Sequence, residues 1–243
     1  MVTGVQTCAL PISYDMAGYT YYNGISFHYY GGQLQTIAES VGNISLPDLQ
    51  AAEEYESEIF VRALQYTVFG NLIQTHGDVR HLYNMTEEAQ EIAGLYNSLH
   101  EELADYLQAM SQIACDTGMP MIRHMILNYQ NDQNVADIDD QFMYGDGLLV
   151  APILGFNTKT DELGRLLLDY ASTVTREVYL PAGTWIDLNS GETIVSTGQT
   201  ITVEANLAKI PVYLNAASEY AEELQAIFEG ATWSAIKELA NAQ

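Results

Sequence analysis

The chain has 243 residues, of which 48% are hydrophobic, so it is long enough for a buried core and for one or two domains. Its 32 acidic and 8 basic residues give a net charge of −24, which disfavours nucleic acid and anionic membrane surfaces as partners. No apolar run in the sequence approaches the ~20 residues that cross a bilayer.

The two cysteines, Cys8 and Cys115, provide neither a disulfide framework nor a C-x-x-C motif. The five histidines are scattered through the chain without a zinc-binding spacing. We therefore expect no structural metal.

The first residues, "MVTGVQTCALPIS", lack the basic start and the long apolar centre of a signal peptide. The run "VTGVQTCALPI" resembles the translation of a common sequencing-library adapter. We interpret residues 1–13 as a non-native leader and expect the natural protein to begin upstream; the alternative is an ordinary N-terminal strand. The leader therefore says nothing about cellular location.

Residues 14–32 are rich in Tyr and Gly and favour a loop. "QLQTIAESV" predicts a short helix, and "GNISLP" predicts a strand that ends just before Asp48. A second helix is predicted to follow Asp48. Its buried face is indicated by four apolar residues: Ile59, Leu64, Val68 and Phe69.

The clearest predicted element is one helix from about Glu87 to Thr117. Thr86 is placed to cap its start, and Gly118 and Pro120 are placed to end it. Apolar residues recur in steps of three and four along it and predict a single buried stripe. The stripe consists of Ile92, Leu95, Leu99, Leu103, Tyr106, Met110 and Ile113.

After Gly118 the chain is expected to be rich in strands. "PMIRHMIL", "GLLVAPIL", "TREVYLP", "TWIDL", "QTITVEA" and "NLAKIPVYL" are short β-like runs separated by Gly, Asn and Pro. "PAGTWIDLNSGE" predicts a hairpin with its turn at "NSG". From Ala216 onward, apolar residues at helical spacing predict a helical tail.

Five blocks in this order resemble the C-terminal portion of glycoside hydrolase family 31. They are "EIFVRALQYTVFGNLIQTHG", "TGMPMIRHMIL", "IDDQFMYGDGLLVAPIL", "REVYLPAGTWIDLNSGE" and "ITVEANLAKIPVYL". Each block alone is a weak signal, and the shared order makes the resemblance specific. It covers roughly residues 34–215.

The resemblance implies an α/β chain that holds the C-terminal part of a (β/α)8 barrel followed by a β-sandwich-like domain. We expect the barrel portion at 14–154, the β-sandwich domain at 155–215 and the helical tail at 216–243. The block from Asp139 to Asp146 is then expected to be structural. Its acids would cap turns and pair with Arg123 or with backbone N–H groups.

Three residues are candidates for substrate binding. By the resemblance, Asp48 matches a family Asp that contacts the bound sugar, and a carboxylate can accept two sugar hydroxyls. The alternative is a helix cap, which the same residue could also provide. The sequence "PDLQAA" departs from the family's usual glycine pair at this point.

His76 matches a family histidine that hydrogen-bonds the sugar, and its alternative is a loop histidine bonded to backbone. Gln74 occupies a position where most members carry Arg. The neutral amide can bind a hydroxyl but lacks the positive charge and the paired N–H donors of an Arg guanidinium. This departure puts a plain terminal glucose in doubt as the substrate.

No catalytic residue is assigned. A retaining glycosidase needs two carboxyls ~5–5.5 Å apart. The family's nucleophilic Asp would lie upstream of this chain, and its W-x-G-D acid/base segment has no counterpart in "GISFHYYGGQLQ".

The resemblance implies a retaining hydrolase of α-linked glycosides that acts on an oligosaccharide or glycoside without a metal or organic cofactor. The alternatives are a diverged, non-catalytic carbohydrate-binding relative and an α-transglycosylase. This chain alone is expected to be inactive.

Overall fold

The computed structural model describes residues 49–70, 73, 82–154, 158–160, 166–168 and 173–241. The helices within these ranges are α1 Leu49–Val68, α2 Glu87–Glu102, α3 Ala104–Thr117, α4 Met125–Asn128, α5 Ala221–Phe228 and α6 Ala231–Asn241. The predicted leader, the short helix that follows it and the strand before Asp48 lie outside the described residues.

Ten short strands occupy the described part of the chain after α3. They are β1 Ile122–His124, β2 Phe142–Tyr144, β3 Leu148–Val150, β4 Thr158–Thr160, β5 Leu166–Leu168, β6 Val174–Leu180, β7 Gly183–Asp187, β8 Thr193–Ser196, β9 Gln199–Ala205 and β10 Val212–Asn215.

The strands form one sheet of six and two pairs. The six-stranded sheet has the order β1-β2-β3-β10-β7-β8, while β4 pairs with β5 and β6 pairs with β9. Every strand pair among the described residues is antiparallel. The expected mixture of helices and strands is therefore confirmed, whereas the barrel portion stays a prediction.

The central strands β2, β3 and β10 of the six-stranded sheet are buried on both faces. Alternate residues of β2 and β3, such as Tyr144 and Leu148, pack among the helices, while Met143 and Leu149 pack on the opposite face with residues of the β6–β9 pair. A strand that is covered on both faces is apolar at every position rather than at every second one. This double burial explains the unbroken run "LLVAPIL".

Helix α1 is buried from Phe60 to its end. Leu64, Val68 and Phe69 lie in the core, which confirms the predicted face for these residues, while the side chain of Ile59 is outside the described set.

The predicted long helix is two helices. Thr86 caps α2 by accepting a hydrogen bond from the Ala89 N–H at 3.2 Å, and Gly118 ends α3 in the left-handed region at a φ of 78°. Between them, Leu103 breaks the helix at φ −81° and ψ 1°. Leu103 is fully buried, and α3 begins at the next residue.

The strand expected through "PMIRHMIL" is shorter than predicted. Only β1 is extended, because His124 then accepts a hydrogen bond from the Ile126 N–H at 3.2 Å and begins the single-turn helix α4. The predicted hairpin is confirmed as β7–β8, with Gly191 in its turn at a φ of 78°.

The helical tail is confirmed as α5 and α6, which return to the helical layer. Trp233 in α6 donates its indole N–H to the Leu188 carbonyl at 2.7 Å, and Thr232 donates a hydrogen bond to Glu102 at the end of α2. None of the helices in the described part of the chain combines the length and the apolarity that a bilayer crossing requires.

The predicted domain boundary at 154 stays a prediction. In the structure, β3 precedes residue 154 and pairs with β10, which lies some sixty residues after residue 154. The six-stranded sheet therefore contains strands from both sides of the predicted boundary.

Candidate functional site

Asp48, Gln74 and His76 lie outside the described residues and stay predictions as sugar-binding groups. Asp48 directly precedes α1, and Gln74 and His76 follow the end of the same helix by a few residues. The structure therefore describes the element between these three residues and shows how it is held.

A buried polar group fixes α1 to the segment that leads into β10. Arg62 donates a hydrogen bond to the Lys209 carbonyl at 3.2 Å and lies 3.8 Å from the Glu58 carboxylate. Gln65, one turn further along, donates to the Leu207 carbonyl at 2.8 Å. Because a buried charge is costly unless it is paired and hydrogen-bonded, these contacts restrict α1 to one position.

Residues 207–210 accept a side-chain hydrogen bond at each of four successive carbonyls. Besides the two bonds from α1, the Tyr96 hydroxyl of α2 donates to Ala208 O at 2.7 Å and Asn189 Nδ2 donates to Ile210 O at 2.9 Å. Buried backbone carbonyls that lie outside a strand ladder need such donors. This segment is thus the point at which α1, α2 and the β7–β8 hairpin are joined.

The sequence reasoning did not single out Glu58, Arg62 or Gln65. A signal was present in their spacing, since residues at i, i+4 and i+7 share one helix face. Polar residues that recur on one face within the largely apolar segment 58–68 indicate a buried polar contact.

Aromatic contacts extend the same attachment to β2. The rings of Tyr66 and Phe142 are 5.6 Å apart and those of Phe69 and Tyr144 are 6.3 Å apart, both edge to face. Such pairs add about 0.5–1.5 kcal/mol beyond the burial of their area. The C-terminal half of α1, which precedes Gln74 and His76, is thereby packed against the central sheet.

The acidic block has structural contacts, but Asp140 has a different ion partner from the expected one. Asp140 pairs with Arg176 of β6 at 3.0 Å, whereas Arg123 donates its side-chain N–H to the Pro120 carbonyl at 2.7 Å. Asp146 accepts a hydrogen bond from the Ser218 hydroxyl at 3.1 Å. The pairing with Arg176 depends on where β6 lies, which sequence spacing did not reveal.

The glycines of "YGDG" are explained by the close approach of Tyr106. Its hydroxyl donates to the Tyr144 carbonyl at 2.7 Å and accepts from the Gly147 N–H at 3.1 Å. Gly145 has a φ of 64°, and a Cβ there would overlap the Tyr106 hydroxyl and the Met110 sulfur. Burial raises the pKa of Tyr106, so its hydroxyl keeps the proton that it donates.

Among the residues that the structure describes, no three His, Cys, Asp or Glu side chains gather closely enough to bind a metal ion. The contacts of Asp140 and Asp146 hold loops in place. The described residues thus hold α1, the helix that separates Asp48 from Gln74 and His76 along the chain.

Residues 118–218 match the sequence profile of the glycosyl hydrolase family 31 C-terminal domain. The matched region begins at the Gly118 helix end and closes just after β10, and so contains the whole six-stranded sheet.

Curated relatives resemble a larger part of the chain. It is 27% identical to an alpha-xylosidase of Saccharolobus solfataricus over 161 residues, 27% identical to an isomaltosyltransferase of Sporosarcina globispora over 187 residues, and 28% identical to a sulfoquinovosidase of Agrobacterium fabrum over 169 residues. These alignments cover 65%, 71% and 68% of this chain. The chain spans 20%, 16% and 23% of the lengths of these relatives.

Solved structures show the same relationship. A family 31 sulfoquinovosidase from E. rectale superposes with a TM-score of 0.60 at 25% identity, covering 71% of this chain and 24% of that one. A family 31 dextranase from Flavobacterium johnsoniae, complexed with glucose, superposes with a TM-score of 0.59 at 32% identity and covers 68% and 19%. The six-stranded sheet thus lies within the region that matches a glycosyl hydrolase family 31 C-terminal domain. These comparisons show that the chain is similar to members of glycoside hydrolase family 31 and that residues 118–218 match that family's C-terminal domain.

Proposed function

We propose that the protein hydrolyses α-linked glycosides with retention of configuration, through a covalent glycosyl-enzyme intermediate and without a metal or organic cofactor. The observation that carries this proposal is the family 31 match over residues 118–218. The relatives named alpha-xylosidase and alpha-glucosidase 2 support the substrate class. A double displacement by two carboxyls gives retention and needs no cofactor.

In this proposal Asp48, His76 and Gln74 hold the sugar. The Asp48 carboxylate accepts hydrogen bonds from two hydroxyls, His76 bonds a further hydroxyl, and the Gln74 amide replaces a charged fork with a neutral contact. The missing charge predicts a preference for a sugar that presents no anionic group at this position.

Asp48 precedes helix α1, whereas Gln74 and His76 follow it, and the 20 residues of the helix rise ~30 Å. A site shared by the three residues therefore requires the chain to return along the helix. In the proposed barrel a strand provides that return, and barrel active sites lie at the ends of strands.

The catalytic carboxyls stay unassigned. In the proposed mechanism one attacks the anomeric carbon, and the other first protonates the leaving group and then activates water, at a separation of ~5–5.5 Å. Asp48 is a binding residue in this scheme, so its removal should weaken transition-state binding without changing the stereochemical course.

The second candidate is transfer of the glycosyl group to another sugar. It is favoured by the names of two Sporosarcina globispora relatives, an isomaltosyltransferase at 27% identity and a 1,6-alpha-glucosyltransferase at 26% identity. The chemistry is shared up to the covalent intermediate, and the two activities differ in whether water or a sugar hydroxyl attacks it. A non-catalytic carbohydrate-binding relative is a third candidate, favoured by "PDLQAA" and Gln74.

The test is turnover of aryl α-glycosides by the product of the complete open reading frame. Release of the aryl alcohol, with the α-anomer appearing first by NMR, is expected. Asp48→Ala should lower kcat/KM on the order of 100-fold, because a charged hydrogen bond to the substrate is lost. Asp139→Ala, which removes an exposed acid of the structural block, is the matched control and should leave kcat/KM unchanged.

The outcomes separate the candidates. Products longer than the donor in the presence of an acceptor sugar would identify the transferase. Binding of sugars without turnover would leave the non-catalytic relative. Full activity of Asp48→Ala would overturn the assigned role of Asp48 while leaving the reaction intact.

A further inference from the structure

An open cleft of about 560 Å³ lies beside the β-domain, between the loop at 128–134 and the edge of the β6–β9 ribbon. Its walls include Tyr179 of β6 and Thr197, which lies between β8 and β9. A volume of this size is within the range of ~300–1,000 Å³ that is usual for small-molecule sites. The cleft is thus large enough for a short oligosaccharide.

The lining of the cleft is polar but almost uncharged. The loop reads "NYQNDQN", in which five of seven residues are Asn or Gln, while Asp132 is its single acid. This composition stands out in a chain that carries 32 acidic residues. No Lys or Arg is found among the described residues that line the cleft, which disfavours an anionic ligand.

The single carboxylate is already engaged. Asp132 accepts hydrogen bonds from the Tyr179 hydroxyl at 2.6 Å and from the Asn134 backbone N–H at 3.0 Å and side-chain amide at 2.9 Å. Because the Asp132 carboxylate already accepts these hydrogen bonds, the cleft does not favour a cation. The remaining amides offer both donors and acceptors, which match the hydroxyls of a neutral sugar.

The loop is also fixed in place before any ligand arrives. Tyr179, which donates a hydrogen bond to Asp132, is fixed through its own backbone. The Gln141 side chain accepts a hydrogen bond from the Tyr179 N–H at 2.9 Å and donates one to the Tyr179 carbonyl at 2.8 Å. At the start of the loop, Tyr129 packs against the buried Trp185, with ring centroids 6.3 Å apart. A surface that is already ordered loses less conformational entropy when it binds.

We propose that this cleft binds a neutral α-linked oligosaccharide as a second sugar-binding surface, through the exposed amides of Gln130, Asn131 and Gln133. The choice of α-linked sugars rests on the proposed function, whereas the neutral, hydroxyl-rich character of the ligand follows from the lining. A surface of this kind would hold a longer substrate by a segment remote from the bond that is cleaved.

The test measures binding of isomaltotriose and maltotriose to the 243-residue chain by saturation-transfer NMR and titration calorimetry. Asp48→Ala is used as the background, so that the proposed barrel contact does not contribute. Adding Gln130→Ala and Asn131→Ala together should weaken binding at least tenfold, because two exposed amides lose their hydroxyl partners. Tyr179→Phe, which releases Asp132 and Asn134, should weaken binding by a smaller factor.

The matched control is Gln112→Ala with Gln225→Ala, which removes two exposed glutamines that pair with acids on their own helices. This control should bind the sugars as the parent does. The inference is overturned if neither trisaccharide binds at ~10 mM, a concentration at which even weak sites are populated. Equal affinity of the parent and the Gln130→Ala/Asn131→Ala variant would overturn it as well.

Failure of this inference can be distinguished from failure of the proposed function. If aryl α-glycosides are hydrolysed but trisaccharide binding does not depend on Gln130 and Asn131, only the inference of a second sugar-binding surface is wrong. If trisaccharide binding depends on these two amides but no glycoside is hydrolysed, the second surface is supported and the proposed hydrolase activity is wrong.

Discussion

The two faces of the central sheet are buried by different chemistry. On the helical side, polar groups such as Arg62, Tyr96 and Tyr106 are fully buried and are bonded to backbone carbonyls. On the ribbon side the core around Trp185 is mainly apolar, with Gln141 and Ser196 as buried polar residues, and contacts such as that of Asp132 with Tyr179 lie at its edge.

This difference follows from what each layer can supply. A helix satisfies its own backbone, so the non-ladder carbonyls at 207–210 need donors from side chains. We infer that the helical side depends on individual hydrogen bonds, whereas the ribbon side depends on buried area. Substitutions that remove one polar group should therefore cost more on the helical side.

The largest expected effect is that of Arg62→Ala. It removes a buried guanidinium that donates to the Lys209 carbonyl and lies 3.8 Å from the buried Glu58 carboxylate, and should lower the free energy of unfolding by about 3–5 kcal/mol. Urea unfolding followed by circular dichroism measures the loss. The ribbon-side comparison is Arg176→Ala, whose partner Asp140 is 53% exposed, and it should cost clearly less. Equal losses would contradict the proposed difference between the two faces.

Two glycines in the left-handed region test the close packing at Tyr106. Gly145→Ala adds a Cβ where Tyr106 and Met110 already lie, and should lower the free energy of unfolding by about 3 kcal/mol. Gly118→Ala has the same backbone strain but open space around it, and should cost only about 1 kcal/mol. Thermal unfolding of both variants gives the difference, and similar losses would show that crowding at Gly145 contributes nothing.

Tyr106 and Tyr144 form a finer test, because their buried rings lie 5.4 Å apart but, within the described ranges, only the Tyr106 hydroxyl is hydrogen-bonded. Tyr106→Phe removes the partner of Tyr144 O and Gly147 N–H and should cost about 1–3 kcal/mol. The Tyr144 hydroxyl is buried and has no hydrogen-bond partner among the residues that the structure describes, so Tyr144→Phe should leave the stability unchanged or raise it. Chemical denaturation measures both, and a larger loss for Tyr144→Phe would reverse the interpretation.

The smallest effect concerns pH at the ribbon edge. The hydrogen bond from the Tyr179 hydroxyl lowers the pKa of Asp132 below its usual value of 3.8. Ionised Asp132 therefore stabilises the folded state fully at a pH above its unfolded-state pKa. This contribution is lost as the pH falls through the lower pKa that Asp132 has in the folded state. NMR titration of the loop amides between pH 5 and ~2 would follow this loss. Asp132→Asn should abolish the titration, and a persistent transition would assign it to another group.

Much of the fold could be predicted where local signals are strong. The start of α2 at Thr86 and the end of α3 at Gly118 could be predicted, because capping depends on neighbouring residues alone. The β7–β8 hairpin was predicted for the same reason. Of the candidate site, the sequence indicated Asp48, Gln74 and His76 only through family resemblance, and their roles stay predictions.

The polar anchor of α1 could not be placed from the sequence. Arg62 and Gln65 bond carbonyls more than 140 residues away, and no local pattern specifies that distance. Likewise, Leu103 breaks a helix without a proline or glycine nearby, at a site where the chain is buried against the rest of the core.

The sequence by itself determined the helix ends, the apolar periodicity and the ordered family blocks, since each of these depends on residues that are close along the chain. Only the tertiary structure decided that β3 pairs with β10, that Asp140 meets Arg176 and that the amide-rich loop forms a cleft with Tyr179. The physical reason is that such contacts join distant segments, and their partners are selected by packing of the whole core rather than by local backbone preference.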